Sequence, residues 1–405
     1  MNILFLTMVK IEIERRDIYN DLMRLFRDKG HNVYIVNPVE RREGKKTNLI
    51  EESGVHTLNV RTLNVQKTSI IEKGIGQLSI EYLYKKAIKH YFKNVRFDLI
   101  LYSTPPITFP SVIRYVKKLN PSAISYLLLK DIFPQNAVDL GLLSKSGLKG
   151  ILYRYFRQKE KTLYELSDYI GCMSPANVQY VLNHNKEIDK SRVEVNPNSL
   201  ALVDNTISEE TKNGILRKYQ LPTEKTLFIY GGNLGKPQGI PFLIECLEAN
   251  KHREDCHFVI VGSGTYYDDL ARWYENNQNA CVTVMKGLPK EDYDKLVQAC
   301  QIGLIFLDYR FTIPNFPSRL LSYLEYKMPV LCVTDSNCDM GSIASENGFG
   351  MWAPSNNVEA FSQCVNEILK KDILSMGENG YRYLKQNYLV EHSYSQIMKH
   401  FPYNV

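Results

Sequence analysis

No apolar run in this chain of 405 residues approaches the roughly 20 needed to cross a bilayer; SAISYLLL (122–129) is among the longest. The opening MNILFLTMVK passes at once into IEIERRD, without the basic region, long apolar core and small-residue cleavage site of a signal peptide, so a cytoplasmic protein is expected. The eight cysteines (172, 246, 256, 281, 300, 332, 338, 364) form no CxxC pair, and most lie in or beside apolar runs. Buried free thiols are expected, not a disulfide or zinc framework, and no structural metal. There is no P-loop and no full dinucleotide fingerprint, and the first loop, MVKIEIERRD (8–17), contains no glycine, which counts against nicotinamide chemistry. A net charge of +6 is modest for this length and implies no nucleic-acid partner.

What is present reads as a large globular chain with 44% hydrophobic residues, enough for two or three cores. Short apolar runs alternate with helical patterns. NILFLT (2–7), HNVYIVNP (31–38), FDLILYSTPP (97–106), AISYLLLKDIFP (123–134) and YIGCMSP (169–175) read as strands; 17–30, 109–119 and 147–167 read as helices. After a polar stretch near 199–205 the alternation restarts with TLFIYGG, HFVIVGSG (257–264), CVTVMKGLP (281–289) and QIGLIFL (301–307). The expectation is an α/β protein of two doubly wound Rossmann-like domains facing across a cleft, residues 1–203 and 204–384, with a terminal segment 385–405 whose helix crosses back to the first domain.

Two clusters carry the chemistry. FIYGGNLGKPQG (228–239) runs from a strand through a glycine-dense turn into a helix, suited to an anionic group such as a diphosphate, although glycines there also serve a plain turn. FTIPNFPSRLLSYLE (311–325) holds a loop extended by Pro314 and Pro317 and starts a helix near Ser318, with Arg319 in its first turn as a fork-shaped cation. In the first half, Asp131 leaves a strand at the sheet edge where ligands sit and is a candidate catalytic or acceptor-positioning residue; a helix N-cap is its other reading, shared by Ser174 and Asn198. Arg15 and Arg16 are the anion binders of the first loop, facing either substrate or solvent. The segments 82–96 and 148–161 interleave Lys and Arg with aromatic and aliphatic residues at helical spacing, as a peripheral membrane contact or a solvated face would.

GGNLGKPQG and NFPSRLLSYLEYKMPVL, with DIFPQNAVDLGLL (131–143) and TDSNCDMG (334–341), resemble in order and spacing a bacterial GT-B glycosyltransferase of family 4, of the kind that makes capsular or other surface polysaccharides. The resemblance implies transfer of a hexosyl or N-acetylhexosaminyl group from a nucleotide diphosphate sugar, UDP-linked by expectation, with retention of configuration, no cofactor and no obligatory metal. The acceptor would lie on the first domain, with Arg15, Arg16 and Asp131; the basic aromatic segments 82–96 and 148–161 in that half make a lipid-linked saccharide at the inner face of the membrane the expected acceptor. The donor would lie on the second, with Lys236 and Arg319 neutralising the leaving diphosphate and Gly232, Asn233, Gln238, Gly262, Gly287, Leu288, Phe316, Pro317, Ser318 and Ser322 around it. The chain departs from that family at the glycine loop, where Asn233 and Gln238 stand for the usual Arg and Lys. It departs again where the usual glutamate pair falls on Pro314 and Ser322; Glu325, one helical turn on, either binds ribose in their place or is a solvated helix residue. A GT-B nucleotide-sugar epimerase and a catalytically inactive nucleotide-sugar-binding subunit are the alternatives.

Overall fold

A computed structural model describes residues 1–64, 70–278 and 280–402. It divides into two compact units, Met1–Ala201 with Leu389–Val405, and Leu202–Tyr388.

The first unit is built on a sheet of eight described strands in the order β3-β4-β2-β1-β5-β6-β7-β8. In chain order these are β1 (Asn2–Leu6), β2 (Asn32–Glu40), β3 (Asn48–Glu52), β4 (Val55–Thr62), β5 (Leu99–Ser103), β6 (Ile124–Leu129), β7 (Tyr169–Cys172) and β8 (Val193–Val195). All pairs are parallel except β3 with β4, an antiparallel edge. β1, β5 and β6 are apolar on both faces because helices cover both, the signature of a central parallel strand. The helices are α1 (Ile18–Asp28), α2 (Ile70–Tyr91), α3 (Pro110–Leu119), α4 (Gln135–Asp139), α5 (Gly147–Leu166) and α6 (Pro175–His184). Asp17 starts α1 by accepting from the Tyr19 amide, and Ser174 caps α6 by accepting from the Asn177 amide, so the capping reading holds for Ser174. Asn198 starts no helix; its Oδ1 is buried without a partner.

The second unit carries a parallel sheet in the order β11-β10-β9-β12-β13-β14. Its strands are β9 (Thr226–Asn233), β10 (Cys256–Ser263), β11 (Val282–Met285), β12 (Ile302–Phe306), β13 (Val330–Thr334) and β14 (Gly350–Pro354). The helices before, between and after them are α7 (Glu209–Lys218), α8 (Ile240–Asn250), α9 (Tyr267–Glu275), α10 (Lys290–Ala299), α11 (Arg319–Glu325), α12 (Met340–Glu346), α13 (Val358–Ile368) and α14 (Ile373–Asn387). Phe228, Tyr230, Phe258, Ile260, Leu304, Phe306 and Phe361 pack one continuous core.

Three features go beyond the sequence reading. The stretch 381–401, whose apolar spacing reads as one helix, belongs to two, α14 and α15 (Val390–Met398), because Leu389 turns extended and pairs with Leu200. α14 lies in the second unit and α15 in the first, where Ile397 and Met398 pack with Phe26 and Tyr19; residues 403–405 of the expected terminal segment lie outside the described ones. The hairpin β3–β4 has polar and charged residues at most positions of its first strand and carries no apolar alternation to announce it. The segment 82–96 turns its apolar residues inward: Tyr84, Ile88 and Phe92 are buried, leaving Tyr82 as its exposed large side chain among the described residues. Its lysines Lys85, Lys86 and Lys89 are exposed.

Candidate functional site

β9 ends in the pair Gly231–Gly232, and the space this leaves is filled from other elements. A β-carbon on Gly231 would fall 1.8 Å from the Tyr293 hydroxyl oxygen, so the phenol from α10 lies directly on the glycine backbone. Gly232 has φ +128°, in the left-handed region that side chains rarely adopt, and the Arg319 Nη2 stands 3.3 Å from where its β-carbon would be. These glycines face a cavity of about 430 Å³ lined by Gly231, Gly232, Tyr293, Pro317, Ser318, Arg319, Ser322 and Tyr323.

Arg319 is the charged centre of that wall. Its guanidinium carbon lies 4.4 Å from the centroid of the Tyr230 ring, a cation over an aromatic face. Its Nη1 is buried with no hydrogen-bond partner, and no ion pair among the described residues includes it. The surrounding phenols cannot supply the missing negative charge. Burial pushes the Tyr293 hydroxyl up to about 12 and that of Tyr323 well above its ordinary value, and raises Tyr230 as well, so all three are neutral near pH 7. Two of them also brace the scaffold: Tyr230 donates to the Asn233 carbonyl at 2.7 Å, and Tyr323 donates to the Ile229 carbonyl at 3.1 Å. A buried guanidinium without a counter-charge is costly, and an anion entering the cavity removes that cost.

Of the donor-side residues expected from sequence, Gly232, Pro317, Ser318, Arg319 and Ser322 meet in this cavity. Asn233 and Gln238 bond each other at 2.9 Å and so staple the glycine turn. Lys236 begins the short turn Lys236–Gln238, half-buried and outside the cavity lining. Gly262 is a close-approach position, its β-carbon site only 2.1 Å from the Gly232 carbonyl, and Gly287 and Leu288 follow β11 outside the lining. Phe316 packs on Tyr388, ring centroids 6.1 Å apart, and is a core residue. Glu325 lines a different cavity of about 530 Å³ with Tyr326, Lys327 and Tyr381. Six residues along α11 place it about 9 Å down the axis from Arg319, at the other end of the helix.

In the first unit the end of β6 holds two shifted groups. Burial pushes the Asp131 carboxyl up to about 6, opposed by hydrogen bonds from the Ile132 amide and the Asn136 side chain. Asn136 Nδ2 reaches both carboxylate oxygens, at 2.9 and 2.8 Å, and Pro134 occupies the cap position of α4, so Asp131 is not a helix cap. Burial also lowers Lys130 to about 7; its Nζ donates to the Asn196 carbonyl at 3.1 Å. A carboxyl and an amine titrating near neutrality at one strand end are the usual equipment of proton transfer. Lys130 was missed because in sequence it is only the polar end of an apolar strand. Arg15 pairs with Glu12 at 2.9 Å, and Arg16 donates to the Ala201 carbonyl at 2.7 Å, which makes Arg16 a fastener of the first unit's chain end.

The sheet orders, the crossing helices and the glycine turn now allow comparison with known proteins. Sucrose-phosphate synthase from Thermosynechococcus elongatus superposes with a TM-score of 0.74 at 13% identity, covering 98% of each chain. Anabaena Alr3699/HepE, solved with UDP and glucose, superposes with a TM-score of 0.70 at 14% identity, again over 98% of each chain. The chain has the GT-B fold. Residues 212–384 of this GT-B chain, nearly all of its second unit, match the family model described as glycosyl transferases group 1. A probable glycosyltransferase of Pseudomonas aeruginosa, WbjE, is 25% identical over 335 residues, 80% of this chain and 78% of the relative. The matched family and the named relative are both those of glycosyltransferases.

Proposed function

We propose that the protein transfers a sugar from a nucleotide diphosphate donor, with the diphosphate held in the Arg319 cavity. The observation that carries this is the buried, unpartnered Nη1 of Arg319 on the wall of a cavity that two glycines keep open. When the bond between the anomeric carbon and the diphosphate oxygen breaks, negative charge grows on the leaving group. A cation already fixed against Tyr230 stabilises that charge without reorganising, the largest single contribution in most such reactions. The Tyr293 hydroxyl, kept protonated, adds a donor on the same wall. A cation supplied by the chain is the reason we read transfer as metal-independent.

UDP is the proposed carrier because Anabaena HepE, of the same fold, was solved with UDP and glucose. The proposed stereochemistry is retention, and the proposed acceptor is a lipid-linked saccharide of surface polysaccharide synthesis bound by the first unit at the inner face of a membrane. Asp131, poised near 6, would orient or deprotonate the acceptor hydroxyl. No helix of the described residues is long and apolar enough to cross a membrane, so a lipid acceptor would be met from the surface.

Calorimetry with UDP, GDP, dTDP and CMP, with and without magnesium, on wild type and Arg319→Ala tests the donor reading. Binding of one diphosphate without metal, lost in the variant, is expected; no binding by any of the four overturns it.

A further inference from the structure

The α5 helix opens with an apolar ridge that no other described residue of its unit covers. Leu148 is 87% exposed and Ile151 59%, with Leu152 and Tyr155 also exposed; their spacing, i, i+3, i+4 and i+7, puts all four on one helix face. Leu142, 58% exposed, extends the ridge into the preceding loop. Soluble surfaces carry single exposed apolar residues without consequence, but a contiguous ridge on one helix face marks a contact.

The charge beside the ridge selects the partner. Residues 140–159 contain five cations, Lys145, Lys149, Arg154, Arg157 and Lys159, and no acid. Two of these are engaged inside the unit: Arg157 with Glu160 at 2.7 Å and Lys159 with Glu81 at 2.6 Å. Lys145, Lys149 and Arg154 enter no ion pair among the described residues and are exposed. Leucine and isoleucine on the apolar side, a tyrosine at its end and unpaired cations alongside form the pattern of a helix that lies in a bilayer interface, apolar face down, with cations at the headgroups. A second copy of this chain would bring the same excess of cations against itself, so charge disfavours a self-contact.

We infer that the first two turns of α5, with Leu142 ahead of them, dock the first unit on an anionic lipid surface, and that the segment 82–96 does not take part. The inference deepens the lipid-acceptor reading but is separable from the donor reading, because vesicle binding needs no nucleotide. The test is cosedimentation with vesicles of phosphatidylcholine alone and of phosphatidylcholine with phosphatidylglycerol, at low and high salt. Wild type is expected to prefer the anionic vesicles and to lose that preference in salt. Leu148→Glu with Ile151→Glu should weaken binding at least about tenfold, and Lys149→Glu with Arg154→Glu should abolish the anionic preference. Tyr82→Glu with Lys85→Glu on α2 should bind as wild type does. The replaced ridge side chains are exposed, so an unchanged thermal midpoint verifies that each variant folds. Equal binding to both vesicle types, wild-type binding by the ridge variant, or a wild-type dimer that the ridge variant turns into a monomer would each overturn the inference.

Discussion

Arg319 lies over the Tyr230 ring, its guanidinium carbon 4.4 Å from the ring centroid, with one nitrogen buried and unpartnered. The ring supports the cation without neutralising it, so the pair is built for an anion that arrives from outside the chain. In the absence of that anion the arginine is a burden on the fold.

Replacing Arg319 therefore moves stability and binding in opposite directions. Arg319→Met should raise the stability of the ligand-free protein by about 1–3 kcal/mol, since an uncompensated buried charge is removed. The same variant should lose diphosphate affinity and transfer. Thermal melts with and without UDP read both effects; a destabilised apo variant would mean that the charge has a partner in solution.

The Gly231–Tyr293 contact should behave as a coupled pair. Gly231→Ala places a methyl group 1.8 Å from the Tyr293 hydroxyl, and overpacking of this kind costs about 1–3 kcal/mol. Tyr293→Ala in the same chain should recover part of that loss, which a denaturant double-mutant cycle measures directly. Additive losses would show that the alanine is accommodated elsewhere.

Asp131 gives a pH signature. Its carboxyl titrates at about 6 in the fold, above the usual carboxylate value near 4, so the folded state holds the extra proton across that window. Stability then falls as pH rises through about 4 to 6. Asp131→Asn should remove this slope, leaving the variant more stable than wild type by about 1–3 kcal/mol at pH 7.5 and equal to it near pH 4, while transfer is lost. Melts across that pH range, beside an activity assay, separate a functional carboxyl from a structural one.

Glu325 sits in the cavity with Tyr326 and Lys327, away from the Arg319 cavity lining. Glu325→Gln should leave UDP affinity within about twofold of wild type. A loss of ten times or more would bring ribose binding back to this residue.

Much of the architecture was legible in order along the chain. ILFL (3–6) and LILY (99–102) are unbroken by any charged residue and largely apolar, as a strand covered on both faces requires, and GGNLG marks the turn at the end of β9 because glycines there free the backbone. Arg319 stood out as a cation at a helix start, where acids are favoured. The break at Leu389 was hidden, since the apolar spacing of 381–401 runs on across it and only pairing with Leu200 interrupts the helix.

The sequence by itself determined the alternation of elements, the place of the glycine turn and the candidates Arg319 and Asp131, because those follow from local spacing and residue type. Only the tertiary structure decided that Tyr230, Tyr293 and Tyr323, from a strand and two separate helices, converge on one guanidinium and leave it without a counter-charge. It also decided between two basic aromatic helices of similar pattern, burying Tyr84, Ile88 and Phe92 while leaving Leu148 and Ile151 bare. Periodicity shows that a helix has an apolar face; what covers that face is settled by residues far away in the chain.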